Sequence, residues 1–299
     1  MEAKQSKIIH FIIFLSLFQA LLLAQAPICK ASICEELRSE VDIDLEQAEV
    51  LYTKENGYVV LKEGPYYALS FNGGEDVQGT KDPSDVTELP LLFARLMSMG
   101  VLYPKHIKRV LMVGLGTGML SSYLHHYFPE AHITCVDHNP LVIEAAKAYF
   151  GVPDTSRHKL VLADGLTFLK DTQEKYDLIF SDAYMEFIPT HMATASFYAL
   201  AKEKLAPNGA LVQNAIPSKH LNIQQVREKL SQSFAHVDTY NEDVAGNALL
   251  GEDEEGDNTI LIAYNGPKIS NKSFKKRAIR LQKQHGFRYG LRELLKCWM

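Results

Sequence analysis

Cysteine is scarce in this sequence. Cys29, Cys34, Cys135 and Cys297 are the only four in 299 residues, too few for a disulfide framework at this length. Cys135 lies in an apolar strand pattern and is expected as a small core residue. Cys29 and Cys34 can pair only in an oxidising compartment. An excess of one charge is also missing. The net charge of −5 gives no general nucleic-acid surface. With 46% hydrophobic and 22% charged residues, the composition excludes extensive disorder. The eleven histidines show no metal-ligand spacing. His125 and His126 adjoin on a predicted helix, the pattern of a solvated face, and no metal is expected. No Ser or Cys nucleophile motif occurs in the strand-turn-helix context it requires, and the chain has no internal repeat.

The amino terminus has the layout of a secretory leader. Lys4 and Lys7 precede an apolar run over residues 8–24, broken only by His10, Ser16 and Gln19, and Ala24, Gln25 and Ala26 follow as a small-x-small site. A second candidate site ends at Ala31. Residues 1–26 are therefore expected to be a signal peptide or, uncleaved, a membrane anchor, which favours a location outside the cytoplasm or on a membrane over a cytoplasmic one. Residues 34–105 are expected to form a small β domain with a linking helix. Residues 106–266 are expected to form the main domain, and residues 267–299 a basic helical tail with ten Lys or Arg against Glu293.

Three alternating runs, 49–54, 58–62 and 66–71, are separated by turn residues and predict an antiparallel meander. Helical spacing covers residues 89–99. Short apolar strands then alternate with helical patterns at 110–113, 133–136, 159–162, 178–181, 210–213, 236–240 and 260–264. That alternation predicts an α/β fold with a mostly parallel sheet and helices on both faces.

The first strand of this series runs into Gly114, Gly116 and Gly118, a turn that lets the backbone approach a ligand closely. The second ends in Asp137, 23 positions after Gly114, where a carboxylate accepts from ribose hydroxyls. The third ends in Asp164 and Gly165, where a carboxylate can accept from an adenine amine. Each acid alone would serve as a helix cap; the three strand ends together specify a nucleoside site. No Walker lysine follows, which disfavours a nucleoside triphosphate and favours a nucleoside without pyrophosphate, as in S-adenosylmethionine. The fourth strand ends in Asp182, with Tyr184 close behind. Beside a sulfonium, a carboxylate can orient an amine and take its proton. Tyr184, His191 and Gln213 are the candidate acceptor-pocket residues.

These residues resemble the spermidine synthase family of polyamine aminopropyltransferases. The resemblance runs over about residues 58–264 and includes the meander, Gln78, the glycine turn, Asp137, Asp164, Gly165 and Asp182. Segments 127–130, 148–151 and 188–198 are similar to its divergent, spermidine-synthase-like branch. The resemblance implies a Rossmann-like S-adenosylmethionine-dependent transferase fold with a small N-terminal β meander, and a homodimer. It implies Gln78, Asp137 and Asp164 on the cofactor side and Asp182 as acceptor-side base. The co-substrate is then decarboxylated S-adenosylmethionine or S-adenosylmethionine itself, and the acceptor an amine or polyamine. Two family acids are absent: Thr117 occupies the glycine turn, and Met185, with Glu186 beside it, follows Asp182. The family's acceptor residues near 89–92 are also replaced. Aminopropyl transfer and methyl transfer both remain open, as does an exported nucleoside-binding domain without turnover.

Overall fold

A computed structural model describes residues 40–54, 57–74, 76–185, 188–189, 191–217, 221–241 and 258–298. The leader, Cys29, Cys34, Glu186 and the acidic stretch 252–257 lie outside the described residues, as do the side chains of Tyr184 and His191.

The first layer is an antiparallel sheet of β1 (Glu49–Thr53), β2 (Val59–Glu63), β3 (Tyr66–Phe71) and β4 (Asp76–Lys81), ordered as in sequence. Val59, Leu61 and Ala68 bury one face together with Ile43. The fourth strand is an addition to the expected three-strand meander. Its register skips a residue, since Leu69 pairs Gly79 and Ser70 pairs Val77, so Gln78 is the extra residue of a β-bulge. A bulge breaks the two-residue alternation that marks a strand in sequence, and it re-aims the side chain it carries.

The larger sheet has seven strands. These are β5 (Arg109–Val113), β6 (His132–Asp137), β7 (His158–Leu162), β8 (Tyr176–Ser181), β11 (Leu205–Ala215), β12 (His236–Asn241) and β13 (Thr259–Tyr264), in the order β12-β13-β11-β8-β5-β6-β7. Neighbours from β7 through β11 are parallel, while β13 runs antiparallel to β11 and β12. Between β8 and β11, β9 (Tyr184–Met185) and β10 (Ile188–Pro189) form a two-residue antiparallel pair.

Helices cover both faces. Ile179 and Leu211 face a core with Leu169 of α4 (Gly165–Asp171), Phe197 and Ala201 of α5 (Ala195–Lys204), and Val226 and Leu230 of α6 (Ile223–Ser233). The opposite side chains, Phe180 and Val212, meet Gly100, which follows α1 (Leu92–Ser98); a Cβ there would lie 2.6 Å from Val212 Cγ2. Helices α2 (Met119–Tyr127) and α3 (Pro140–Ala148) connect β5, β6 and β7. The tail forms α7 (Asn271–His285) and α8 (Leu291–Trp298). It docks on the main domain through Phe274 against Tyr103, at 5.0 Å between ring centroids, and Phe287 against Tyr127, at 4.8 Å. Cys135 is wholly buried, and burial pushes its thiol up to about 12.

The two sheets meet at Gly79. A Cβ added there would sit 3.3 Å from Thr117 Cγ2 in the glycine turn. Gly79→Leu should force β4 off that turn and destabilise the fold by about 1–3 kcal/mol. In a thermal melt this lowers Tm by roughly 2–4 °C per kcal/mol. An unchanged Tm would show that the strand does not pack there.

Candidate active site

The connections β5 to β6 to β7 move outward in one direction, and β8 then returns to the other side of β5. A parallel sheet opens a crevice at such a reversal, beyond the carboxyl ends of its strands. The glycine turn follows β5 and Asp182 follows β8, the neighbouring strands at which the connections reverse.

Gly114 and Asp182 continue the ladder past the strands. Gly114 N donates to Val136 O at 2.9 Å, and Asp182 N donates to Val113 O at 2.8 Å. The two loops touch, since a Cβ on Gly114 would overlap the Asp182 carbonyl, 2.7 Å from its carbon. Gly114 also has φ +92°, so only glycine fits both the conformation and the contact. Gly116 has φ +54°. Gly118 caps α2 at φ +67°, where a Cβ would lie 2.5 Å from Val152 Cγ2.

Asp137 is 9% exposed and holds this loop. Its Oδ2 accepts from Leu115 N at 3.0 Å and its Oδ1 from Asn139 N at 2.9 Å. Burial raises its pKa, and these amide bonds oppose the rise. A carboxylate has about four acceptor positions, so two amides leave capacity for ligand hydroxyls. Asn139 caps α3 by accepting from Leu141 N, and its amide donates to Tyr58 OH, which ties the small sheet to this strand end. The end of β7 is tied in as well, through Ala163 N to Asp137 O at 3.0 Å.

Asp164 caps α4. Its Oδ1 accepts from both the amide and the hydroxyl of Thr167, each at 2.8 Å. At Gly165 a Cβ would overlap Val113 and lie 2.9 Å from Met192 Cε, so α4 begins pressed against β5. Gln78 is half-buried on the bulge of β4, next to Gly79. Thr117 is 2% exposed and packs toward Gly79, and its Oγ1 has no hydrogen-bond partner among the described residues.

Asp182 is half-buried beyond β8. Burial raises its carboxyl above the usual range, and Asn214 Nδ2, donating to Oδ1 at 2.8 Å, pulls it back. Asn214 did not figure among the sequence candidates; its neighbour Gln213 did. Successive strand residues face opposite sides. Gln213 is 4% exposed and donates its Nε2 to Ser181 O and Asn214 O, while Asn214 takes the side facing Asp182. For Tyr184 and His191 the structure describes the backbone alone. Tyr184 pairs with Pro189, and His191 begins a 3-10 turn ending at Ala193. Among the described residues, no group of three or more His, Cys, Asp or Glu side chains is placed to hold a metal ion.

Comparison with known proteins places the chain in a family. Residues 93–244, just over half of the chain, match the spermine/spermidine synthase domain. A polyamine aminopropyltransferase of Vibrio vulnificus is 30% identical over 186 residues, covering 58% of this chain and 62% of that relative. The chain thus spans about six tenths of that curated relative's length. The fold is similar to a probable spermidine synthase from Corynebacterium glutamicum, with TM-score 0.63, 19% identity and coverage of 82% and 87% of the two chains. It is also similar to human methyltransferase-like protein 13, with TM-score 0.56, 22% identity and coverage of 66% and 94%. With its glycine turn and strand-end acids on one crevice and more than half its length matched, the chain belongs to the spermine/spermidine synthase family.

Proposed function

We propose that this chain is a group transferase that alkylates an amine from S-adenosylmethionine or its decarboxylated form. The observation that carries the reading is Asp182, held by Asn214 at the strand end that touches the glycine turn. Two features support the nucleoside: Asp137 keeps acceptor capacity after binding two amides, and Gln78 stands on a bulge beside the turn. Asp164 and Gly165 supply the third wall. The human neighbour was solved in complex with SAH, which fits an S-adenosyl ligand on this fold.

In the reaction, the acceptor nitrogen attacks the carbon attached to the sulfonium. The carbon–sulfur bond breaks, and its electron pair neutralises the sulfur as a thioether. The nitrogen loses a proton to the Asp182 carboxylate as the new bond forms. Asp182 must be ionised to act, so burial opposes the role and the Asn214 bond supports it. Tyr184 and His191 follow Asp182 in sequence and are assigned to the acceptor side. Thr117 stands where an aminopropyltransferase carries an acid and packs on Gly79. This favours testing intact S-adenosylmethionine alongside its decarboxylated form.

Asp182→Asn should lower transfer about 10²–10⁴-fold while methylthioadenosine still binds. The assay pairs polyamines with the decarboxylated donor and small amines with the intact donor. Asn214→Ala should raise the Asp182 pKa and move the acid limb of the pH–rate profile to higher pH. Wild-type rates in Asp182→Asn would reduce Asp182 to a structural residue. A wild type that binds the nucleoside but turns over neither panel would instead favour an exported nucleoside-binding domain.

The leader-like N-terminus supports an exported or membrane-anchored protein, and the family resemblance supports a homodimer. N-terminal sequencing from the native host should find a start shortly after Ala26 or Ala31 if the leader is cleaved. A protein free of the membrane that retains Met1 would contradict both export and anchoring.

A further inference from the structure

A cavity of about 360 Å³ lies behind the glycine turn, away from the strand-end crevice. Its polar lining is Ser122, His125 and His126 of α2, with Arg157 just before β7; Val86 and Pro129 close its edges. No carboxylate lines it. Behind Ser122 lies Lys81 of β4, only 1% exposed, whose Nζ donates to Ser122 Oγ at 2.8 Å. That hydroxyl is the single polar partner of Lys81 among the described residues.

The basic groups crowd one another. Burial pulls Lys81 down to about 8, against the pull of Asp82. His125 is lowered by burial and then by Arg157 and His126. His158, buried 5.1 Å from the His125 ring, is lowered to about 4 by burial and by His125, and its Nδ1 donates to Pro153 O. Asp154, in the turn before β7, is engaged by Lys147 Nζ at 3.1 Å and Leu160 N at 3.3 Å. A buried lysine is normally matched by a carboxylate, because an uncompensated buried charge is costly. Here the acid acting on Lys81 is its sequence neighbour Asp82, and the cavity lies on the far side of Ser122.

We propose that this cavity binds a phosphate group, as free phosphate or as a phosphate monoester. Ser122 accepts from Lys81, which leaves its own O–H to donate. His125 and His126 add ring N–H donors, and Arg157 adds a charge-assisted guanidinium of the kind that binds oxyanions. The carbonyl end of α2 would repel an anion, but Arg157 Nη1 covers it by donating to His125 O, Phe128 O and Ala131 O at 3.2–3.4 Å. The cavity volume exceeds a bare phosphate and leaves room for a small ester. Lys81 follows Gly79 by two residues and Ser122 follows Gly118 by four, so a bound anion braces β4 on the glycine turn from behind.

The test is titration calorimetry of the full chain with inorganic phosphate and with glycerol phosphate, at ionic strength fixed with sodium chloride. Saturable one-to-one binding is expected. It should weaken roughly tenfold or more in His126→Ala, an exposed position that leaves the core untouched, and in Ser122→Ala. Methylthioadenosine binding to His126→Ala should stay at the wild-type level. Tighter binding of the ester identifies a phosphorylated small molecule as the source, and equal binding identifies free phosphate. No saturable heat with either anion, or unchanged affinity in both variants, would overturn the site.

Discussion

The contact between Gly114 and the Asp182 carbonyl is the constraint on which the crevice depends. Strands β5 and β8 are hydrogen-bonded neighbours whose connections leave in different directions. Their end loops can meet backbone to backbone only where one lacks a Cβ. That contact fixes Asp182 beside the turn. The amides of Leu115 and Asn139 then fix Asp137 under the same turn. The small sheet closes from the other side, with Gly79 on Thr117 and Tyr58 on Asn139.

Asp137 and Asp182 are both raised by burial, and different groups offset the penalty. Asp137 is met by backbone amides, which have no freedom to move away, and this suits a group that shapes a loop and receives a neutral nucleoside. Asp182 is met by one side-chain amide, from Asn214. That one donor among the described residues leaves acceptor capacity on the carboxylate, and burial keeps it more basic than a solvated acid. Such a group is suited to take a proton from an amine.

Much of this site was legible from the sequence because parallel strands are short, apolar and end where the chemistry sits. The glycine turn, Asp137, Asp164 and Asp182 all fall at such ends. What escaped the reading has physical causes. Strand β4 contains a bulge and a glycine, so its alternation is broken at Gln78, the residue it presents. Asn214 was missed because β11 extends to Ala215, two residues past the apolar run, and a strand's facing reverses with every residue. The Lys81–Ser122 bond joins residues 41 apart, and no local pattern announces that a lysine is buried. His125 and His126 lie on the exposed side of α2 as expected, and the cavity they line forms only when the turn before β7 packs beside that helix.

The central claim is that the crevice between the glycine turn and Asp182 receives an S-adenosyl-type nucleoside through Asp137. Calorimetry with methylthioadenosine tests it most directly, on wild type and on Asp137→Asn, with a thermal melt of each to separate binding from loop stability. Binding by the wild type, weakened roughly ten- to a hundredfold by loss of the charge-assisted bonds, is the expected result. No binding by the wild type, or equal affinity in a folded Asp137→Asn, would contradict the account.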